Sequence, residues 1–385
     1  MTASPAPRGA SASAGRAPAP STDLGVDVMP LTLETLRLPS SPEAADAADF
    51  LELVRAANAL WEHDSGTDLF REDAAERLVR LRDTTYVEKI VVVARRDGRA
   101  AGFGLLAYSR TTRRNANADV VVAPEHRDEE VEDAILSELE RIARAHGRSA
   151  LLSFGFTTVD GGGRRLPSPT GFGTVPLDAW QTRFFLRNGF VLGQVERIST
   201  FDLGSSFVEV DSRLDAALAA AGPDYKPVWW RIPTPEEHLE SYVAAVARMD
   251  TDPPSGELEP EQDVWTAQRI RDREELMFRA GQTKAVAAVV HEPTGAIAAF
   301  NELVIGTDRT RPTENHDTLV LPEHRGRRLG TVVKCLGLRR WREVAPDSPV
   351  VQTFNAEENR YMLDVNEAVG FQPAAYSGEW RKDLS

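Results

Sequence analysis

The sequence predicts a mixed α/β fold (an α+β type mixed sheet) built from two tandem copies of one domain. Three observations carry this. The first is internal repetition at collinear points. Asp119 through Arg127, ending Pro124-Glu125-His126-Arg127, returns as Asp317 through Arg325, ending Pro322-Glu323-His324-Arg325, an offset of 324 − 126 = 198. Asp97-Gly98 through Phe103 returns around Gly295 to Phe300, at 300 − 103 = 197. Arg37-Leu38-Pro39-Ser40 matches Arg231-Ile232-Pro233-Thr234. Asn188-Gly189-Phe190 matches Val369-Gly370-Phe371, and Asp202-Leu203 matches Asp383-Leu384, at 371 − 190 = 181. The offset falls by 198 − 181 = 17 where the first copy carries its longer loop. Ordered agreement of this kind marks a tandem duplication. The second observation is that each copy reads β-α-α-β-β-β-α-β-α-β-β. The third is that each copy places a hairpin ahead of a strand, a turn and an amphipathic helix.

The elements follow in order. Residues 26–38 alternate as a strand. Pro39-Ser40-Ser41-Pro42 opens a helix with Phe50, Leu51, Val54 and Leu60 on its apolar face. A second helix covers Glu72 to Leu81. Lys89–Arg95 is β-branched, Asp97-Gly98 signals a hairpin, and Ala101–Tyr108 returns. Ala118–Val122 is a strand, Glu129–His146 a helix and Ala150–Phe154 a strand. Residues 158–173 are rich in Gly, Pro and Arg and read as a flexible loop. Its Gly161-Gly162-Gly163 has no strand-to-helix turn around it and is no phosphate loop. Trp180–Asn188 is helical and Phe190–Leu203 a strand. The join lies near Gly204-Ser205-Ser206, and a helix from Glu209 to Ala221 opens the second copy. The expected division is a disordered tail over 1–25, a first domain over 26–204 and a second over 205–385.

Composition narrows the function classes. The chain has 385 residues, 42% hydrophobic and 27% charged, as a soluble globular protein has. Its formal net charge of −14 argues against nonspecific nucleic-acid binding. A single cysteine, Cys335, allows no intrachain disulfide and no Cys-rich metal site, and none is expected. On the apolar side of its helix Cys335 reads as a small buried hydrophobe. No segment has the ~20 apolar residues of a membrane span. The Ala/Pro/Ser-rich start lacks an apolar signal core, so a cytoplasmic location is expected. The oligomeric state is left open between monomer and homodimer.

The stretch that carries chemistry is His324-Arg325-Gly326-Arg327-Arg328-Leu329-Gly330. The apolar run Leu319-Val320-Leu321 precedes it, and Val332, Val333, Leu336 and Trp341 give a helical pattern after it. Strand, Gly-containing turn and helix is the order of an anion site, because helix-start N–H groups point outward and the dipole adds positive charge. Arg325, Arg327 and Arg328 add full charges. In the first copy the equivalent turn runs into Asp128-Glu129-Glu130-Val131-Glu132-Asp133. Both glycines are gone, and five carboxylates stand where phosphates would bind. Like charges ~5 Å apart repel by about a kcal/mol even near the surface. The first domain is therefore expected not to bind the anion.

These residues resemble the GNAT superfamily of acyl-CoA-dependent N-acyltransferases, and the whole chain resembles tandem-GNAT proteins of high-GC bacteria. The family's Arg/Gln-x-x-Gly-x-Gly/Ala turn reads Arg325-Gly326-Arg327-Arg328-Leu329-Gly330, with Arg328 where a Gly is usual. Asn355, Asn359, Met362, Asn366 and Gly370-Phe371 resemble the family's last strand-helix region. The resemblance is good over 225–385 and weak over 26–204, which implies a degenerate first domain. It implies acetyl-CoA as acyl donor, an amine acceptor and direct attack on the thioester. It implies that Arg325 to Gly330 hold the pyrophosphate, that the Leu319–Leu321 edge pairs with pantetheine amides, and that Asn355 and Asn359 bond the pantetheine or adenosine side. The usual acid, a Tyr seven residues after the first helix Asn, is replaced by Asn366. Candidate bases are Glu302 and His316, with Glu314 and Asp317 close by. The competing reading is a non-catalytic acyl-CoA-binding or scaffolding protein. Trp229-Trp230 reads as packing or as an acceptor platform. The acidic loop Glu257-Leu258-Glu259-Pro260-Glu261 reads as solvated or as lining the acceptor groove.

Overall fold

The computed structural model describes residues 31–159 and 162–384; the expected 1–25 tail, residue 385, and positions 160 and 161 of the Gly-rich loop lie outside them. The first repeat runs β1 (Thr32–Thr35), α1 (Ala48–Ser65), α2 (Ala74–Arg82), β2 (Val87–Arg96), β3 (Arg99–Ser109), β4 (Asn115–Val121), α3 (Glu129–Ala145), β5 (Ala150–Thr158), β6 (Arg165–Pro167), β7 (Thr174–Pro176), α4 (Trp180–Arg187) and β8 (Val191–Asp202). The second runs α5 (Val208–Ala221), β9 (Tyr225–Arg231), α6 (Glu236–Ala247), α7 (Ala267–Arg279), β10 (Thr283–His291), β11 (Ala296–Ile305), β12 (Thr313–Val320), α8 (Leu329–Val344), β13 (Val350–Ala356), α9 (Arg360–Val369) and β14 (Gln372–Asp383). Several details differ from the sequence reading. Each repeat ends in one strand, β8 or β14, where two were expected. Of the expected strand over 26–38, residues 26–30 lie outside the described residues and β1 spans only Thr32–Thr35. Helix α1 begins at Ala48, after a run of turns, and the expected loop over 158–173 contains β6, which pairs with β7.

Twelve strands form one mixed sheet in the order β1-β2-β3-β4-β5-β14-β8-β13-β12-β11-β10-β9. The repeats exchange their last strands. β14, from the end of the chain, lies antiparallel between β5 and β8, and β8 of the first repeat pairs with β13 of the second. Side chains follow the strands. Trp380 of β14 stacks on Phe185 of α4, ring centroids 4.9 Å apart, inside the first repeat's core with Ile135, Leu136 and Leu139. Phe201 of β8 packs reciprocally against Phe371, 5.5 Å away, in the second repeat's core with Val332, Val333 and Trp341. Each core is thus completed by an aromatic side chain of the other repeat.

The opposite face carries further ties between the repeats. Phe70 stacks on Phe156 at 4.1 Å, and Phe354 of β13 lies 5.8 Å from Phe70. Glu76 of α2 is buried and accepts from the Thr307 N–H (2.6 Å) and the Thr307 hydroxyl (2.9 Å). The acidic loop, read as solvated or as acceptor-lining, is a strap. The Glu261 carboxylate accepts from the N–H groups of Arg113, Arg114 and Asn115 (3.0, 3.0 and 2.7 Å). Leu258 covers Gly193, where a Cβ would lie 2.8 Å from the leucine Cδ2. Trp230 is buried and Trp229 packs on the second core, so both serve packing.

Two gaps open in the sheet. β4 and β5 pair only at 115–117 with 150–152, and β12 and β13 only at 313–315 with 351–353; beyond those points each pair splays. β12 also carries a bulge. Asn301 pairs with Thr318 but Leu303 with Asn315, so His316 and Asp317 together oppose Glu302. This extra residue is the change of offset from 197 to 198 read in the sequence.

The exchange makes the repeats interdependent. Residues 26–204 produced alone lack β14, leaving β5 and β8 without a partner strand between them. That fragment is expected to give no cooperative thermal transition by circular dichroism, and co-production with 205–385 is expected to restore one. A monomeric, cooperatively folding 26–204 fragment would contradict this.

Candidate functional site

The strand β12 delivers the chain to Pro322-Glu323-His324 and then to α8. His324 is buried, and its Nδ1 lies 3.0 Å from the Tyr225 hydroxyl, which anchors the turn. Gly326 has φ +82° and a Cβ there would meet nothing within 4 Å, so the turn is open to solvent at this point. Arg328, where the resembling turns carry Gly, adopts the left-handed conformation (φ +57°, ψ 21°) as the residue capping α8. That conformation costs a non-glycine residue about 1–2 kcal/mol. No side chain caps α8, and among the described residues the N–H groups of Gly326, Arg327 and Arg328 make no hydrogen bond. Arg325, Arg327 and Arg328 are exposed and have no ion-pair partner among the described residues. Arg325 bonds the Val320 carbonyl (3.2 Å), and Arg327 stacks on Tyr225, 5.2 Å from the ring centroid. Unsatisfied donors at a helix start, ringed by unpaired cations, are what a pyrophosphate needs.

The first repeat has closed the same place. Asp128 caps α3 and accepts from the Glu130 N–H at 2.9 Å. Arg96 then bonds both Asp128 (2.6 Å) and Glu130 (2.7 Å). A helix-start donor is used internally, and the nearby guanidiniums of Arg96, Arg127 and Arg187 are all paired with carboxylates.

The remaining residues expected at the cofactor divide into two groups. Leu319, Leu321 and Leu329 have buried side chains, and Val320 is partly buried, so these can offer a ligand only backbone atoms. Gly330 approaches Val320 and Val365, where an added Cβ would sit at ordinary contact distances of 3.6 and 3.8 Å. The asparagines have local duties. Asn359 caps α9, accepting from the Met362 N–H at 3.4 Å, and Asn355 accepts from Asn366 Nδ2 at 2.6 Å. Both use only the amide oxygen in these bonds and keep their amide donors for a ligand. Tyr361 is 90% exposed and does not replace the missing acid.

Glu302 also needs correction. Its side chain is completely buried, 2.7 Å from Lys284 Nζ and 3.0 Å from Arg273, and it accepts from the Tyr242 hydroxyl. Burial raises its pKa, but Arg273 and Lys284 outweigh that and hold it at about 2. A carboxylate spent on two cations is a poor base. The sequence showed a candidate base; it did not show its pairing with Lys284 and Arg273. Asp317 is better placed. It sits on the β12 bulge, is partly exposed, and lies 3.8 Å from Arg273. Burial, and then the neighbouring Glu302 charge, raise its pKa. His316, beside it, bonds Glu314 through Nε2 at 3.0 Å.

One residue escaped the sequence reading. Lys334, on α8, is buried at the fork where β12 and β13 part; its Nζ bonds Asn315 Oδ1 at 2.7 Å and approaches Thr353 Oγ1 at 3.5 Å. Burial lowers its pKa to about 7. The unfolded chain then binds one more proton than the folded one between about pH 7 and the normal lysine value near 10.5. Stability from this group therefore rises with pH across that window, by up to about 1.4 kcal/mol per pH unit, and is lost as pH falls toward 7. Lys334→Met is expected to flatten the pH dependence of urea unfolding between pH 7 and 9; an unchanged slope would show Lys334 to be charged in the fold.

No protein-family model matches the chain, and no curated protein matches it in sequence. Solved structures do. A tandem GNAT protein from the clavulanic acid biosynthesis pathway, solved without acetyl-CoA, superposes with a TM-score of 0.68 at 22% identity, over 92% of this chain and 99% of that one. A GCN5-related N-acetyltransferase from Sphaerobacter thermophilus gives 0.57 at 14% identity, over 92% and 96%. The GCN5-related glucosamine N-acetyltransferase region of a fungal β-N-acetylglucosaminidase gives 0.57 at 14%, over 91% of this chain and 38% of that one. Together with the duplicated sheet and its two gaps, these likenesses identify the chain as a protein of the tandem GNAT fold.

Proposed function

We propose that this chain is an acyl-CoA-dependent N-acyltransferase whose second repeat binds the donor, acetyl-CoA, and whose acceptor is a small amine. The observation that carries the reading is the uncapped start of α8 with three unpaired arginines, set beside the self-capped start of α3. The residues present fit the donor. Turn 325–330 offers free N–H groups and charge to a pyrophosphate, and the gap between β12 and β13 gives a strand edge to an amide-bearing arm. The bound donor supplies a thioester carbonyl for attack. The chain supplies a base for the ammonium proton, and Asp317 fits best, with His316 next to it on the bulge. No tyrosine stands at the usual acid position, so the leaving thiolate departs without that donor.

Asn366 is also the observation that favours the second reading, a protein that holds acyl-CoA without turning it over. It is buried and tied to Asn355, and it has no proton to give. The two readings separate by experiment. In the first, acetyl-CoA binds and a panel of amines releases free CoA; in the second, it binds and no amine does.

Gly326→Asp copies the first repeat's carboxylate into the turn. It is expected to weaken acetyl-CoA binding at least tenfold by calorimetry, with Gly326→Ala as the control for backbone strain; equal affinities for wild type and the Asp variant would remove the phosphate turn from this role. Asp317→Asn is expected to lower kcat by about 10²–10⁴ with acetyl-CoA affinity unchanged. A wild-type kcat would pass the role to His316.

A further inference from the structure

Two adjoining cavities, of about 60 and 320 Å³, open in the gap between β4 and β5, and Asp119, Ser153 and Phe154 line both. The larger is closed by Glu379 of β14 and by Leu258 of the strap. Ser153 is 8% exposed, and its hydroxyl has no hydrogen-bond partner among the described residues. The Asp119 side chain likewise makes no hydrogen bond or ion pair among the described residues. Arg77, the cation whose field reaches it, is bonded to Glu72 at 2.5 Å. Burial pushes the Asp119 carboxyl up to about 6. Glu379 holds only the Ser377 hydroxyl (2.7 Å); burial, then Glu196 and Asp119, push it up to about 8. Glu196 has no partner either, and burial and then Glu358 push it up to about 7.

These groups form a row. Cross-strand partners share a face, and Glu379 pairs with Phe154 while Glu196 pairs with Ser377 on the same side. The order β4, β5, β14, β8, β13 carries the row from Asp119, past Glu379 and Glu196, to the splayed end of β13 at Ala356. Four strand spacings of ~4.8 Å make this about 19 Å. Phe154 and Phe156 line the cavity end beside Trp61, whose ring already carries Arg77 at 5.4 Å, and aromatic faces attract ammonium groups. Unpaired carboxylates crowded together at raised pKa are poised for cations, and no cationic side chain of the described residues bonds them.

We infer that the acceptor is a linear amine with two or more ammonium groups, one of them held by Asp119 and Glu379 in the first repeat's cavity while another reaches the gap of the second. This rests on the acyl-transfer reading above. It gives the first repeat a task, selection of the acceptor. It also requires the strand exchange, because Glu379 comes from the end of the chain.

The test titrates the full chain with spermine, whose extended chain is long enough for this row, and, as a monoamine control, with octylamine, by calorimetry without acyl donor. Spermine is expected to bind at least tenfold tighter than octylamine, and Asp119→Asn and Glu379→Gln each to weaken it tenfold or more. Both variants are expected to keep wild-type acetyl-CoA affinity and thermal transition, which separates a lost cation site from a lost fold. With acetyl-CoA present, free CoA release is expected with spermine and to fall in both variants. Absence of spermine binding, equal binding of octylamine, or indifference to both substitutions would overturn the inference. Variant-sensitive spermine binding without acetyl-CoA binding would instead overturn the transfer reading, and the acceptor role with it.

Discussion

The insertion of β14 between β5 and β8 is the constraint on which the structure depends. Two copies of a domain side by side would give two sheets and a cleft that could flex. Exchanging the last strands gives one twelve-stranded sheet, whose central ladders fix the distance between the repeats. Trp380 and Phe201 then complete cores to which they are distant in sequence. A buried aromatic of this size contributes several kcal/mol. The strap bonds of Glu261 and the contacts of Glu76 act on a geometry the sheet has already set.

That fixed seam lets two similar domains diverge. Both retain a turn after the fourth strand and a gap beside it. In the second repeat the helix start is left bare, and its cations are unpaired. In the first, Asp128 fills a donor of its own helix and Arg96 neutralises the result. The same substitution that improves the helix removes the anion site, while the gap beside it survives as an acid- and aromatic-lined cavity. On the function proposed above, division of labour between donor and acceptor would follow from one turn changing sign.

Much of this was legible in the sequence. The repeats, the order of elements and the turn at 324–330 are local patterns, and local patterns survive into structure. Even the one-residue change of offset was there, although only the pairing of Asn301 with Thr318 and of Leu303 with Asn315 shows that it is a bulge. The strand exchange was not legible, because nothing local in 372–383 says which strand it will pair with. Glu302 was misread for a related reason: its meaning depends on Lys284 and Arg273, brought beneath it by other elements. Lys334 passed unnoticed because a helix lysine reads as solvated until its face is known. The acidic strap was read by its charge alone, when its partners are backbone N–H groups of a loop nearly 150 residues away.

The central claim is that one repeat binds the acyl donor and the other does not. Titration of the full chain with acetyl-CoA in a calorimeter measures this directly, as the number of sites per chain. The expected result is one site, weakening with added salt as a pyrophosphate held by arginines must. Two equivalent sites would contradict the closure of the first repeat's turn, and none would contradict the assignment of the second.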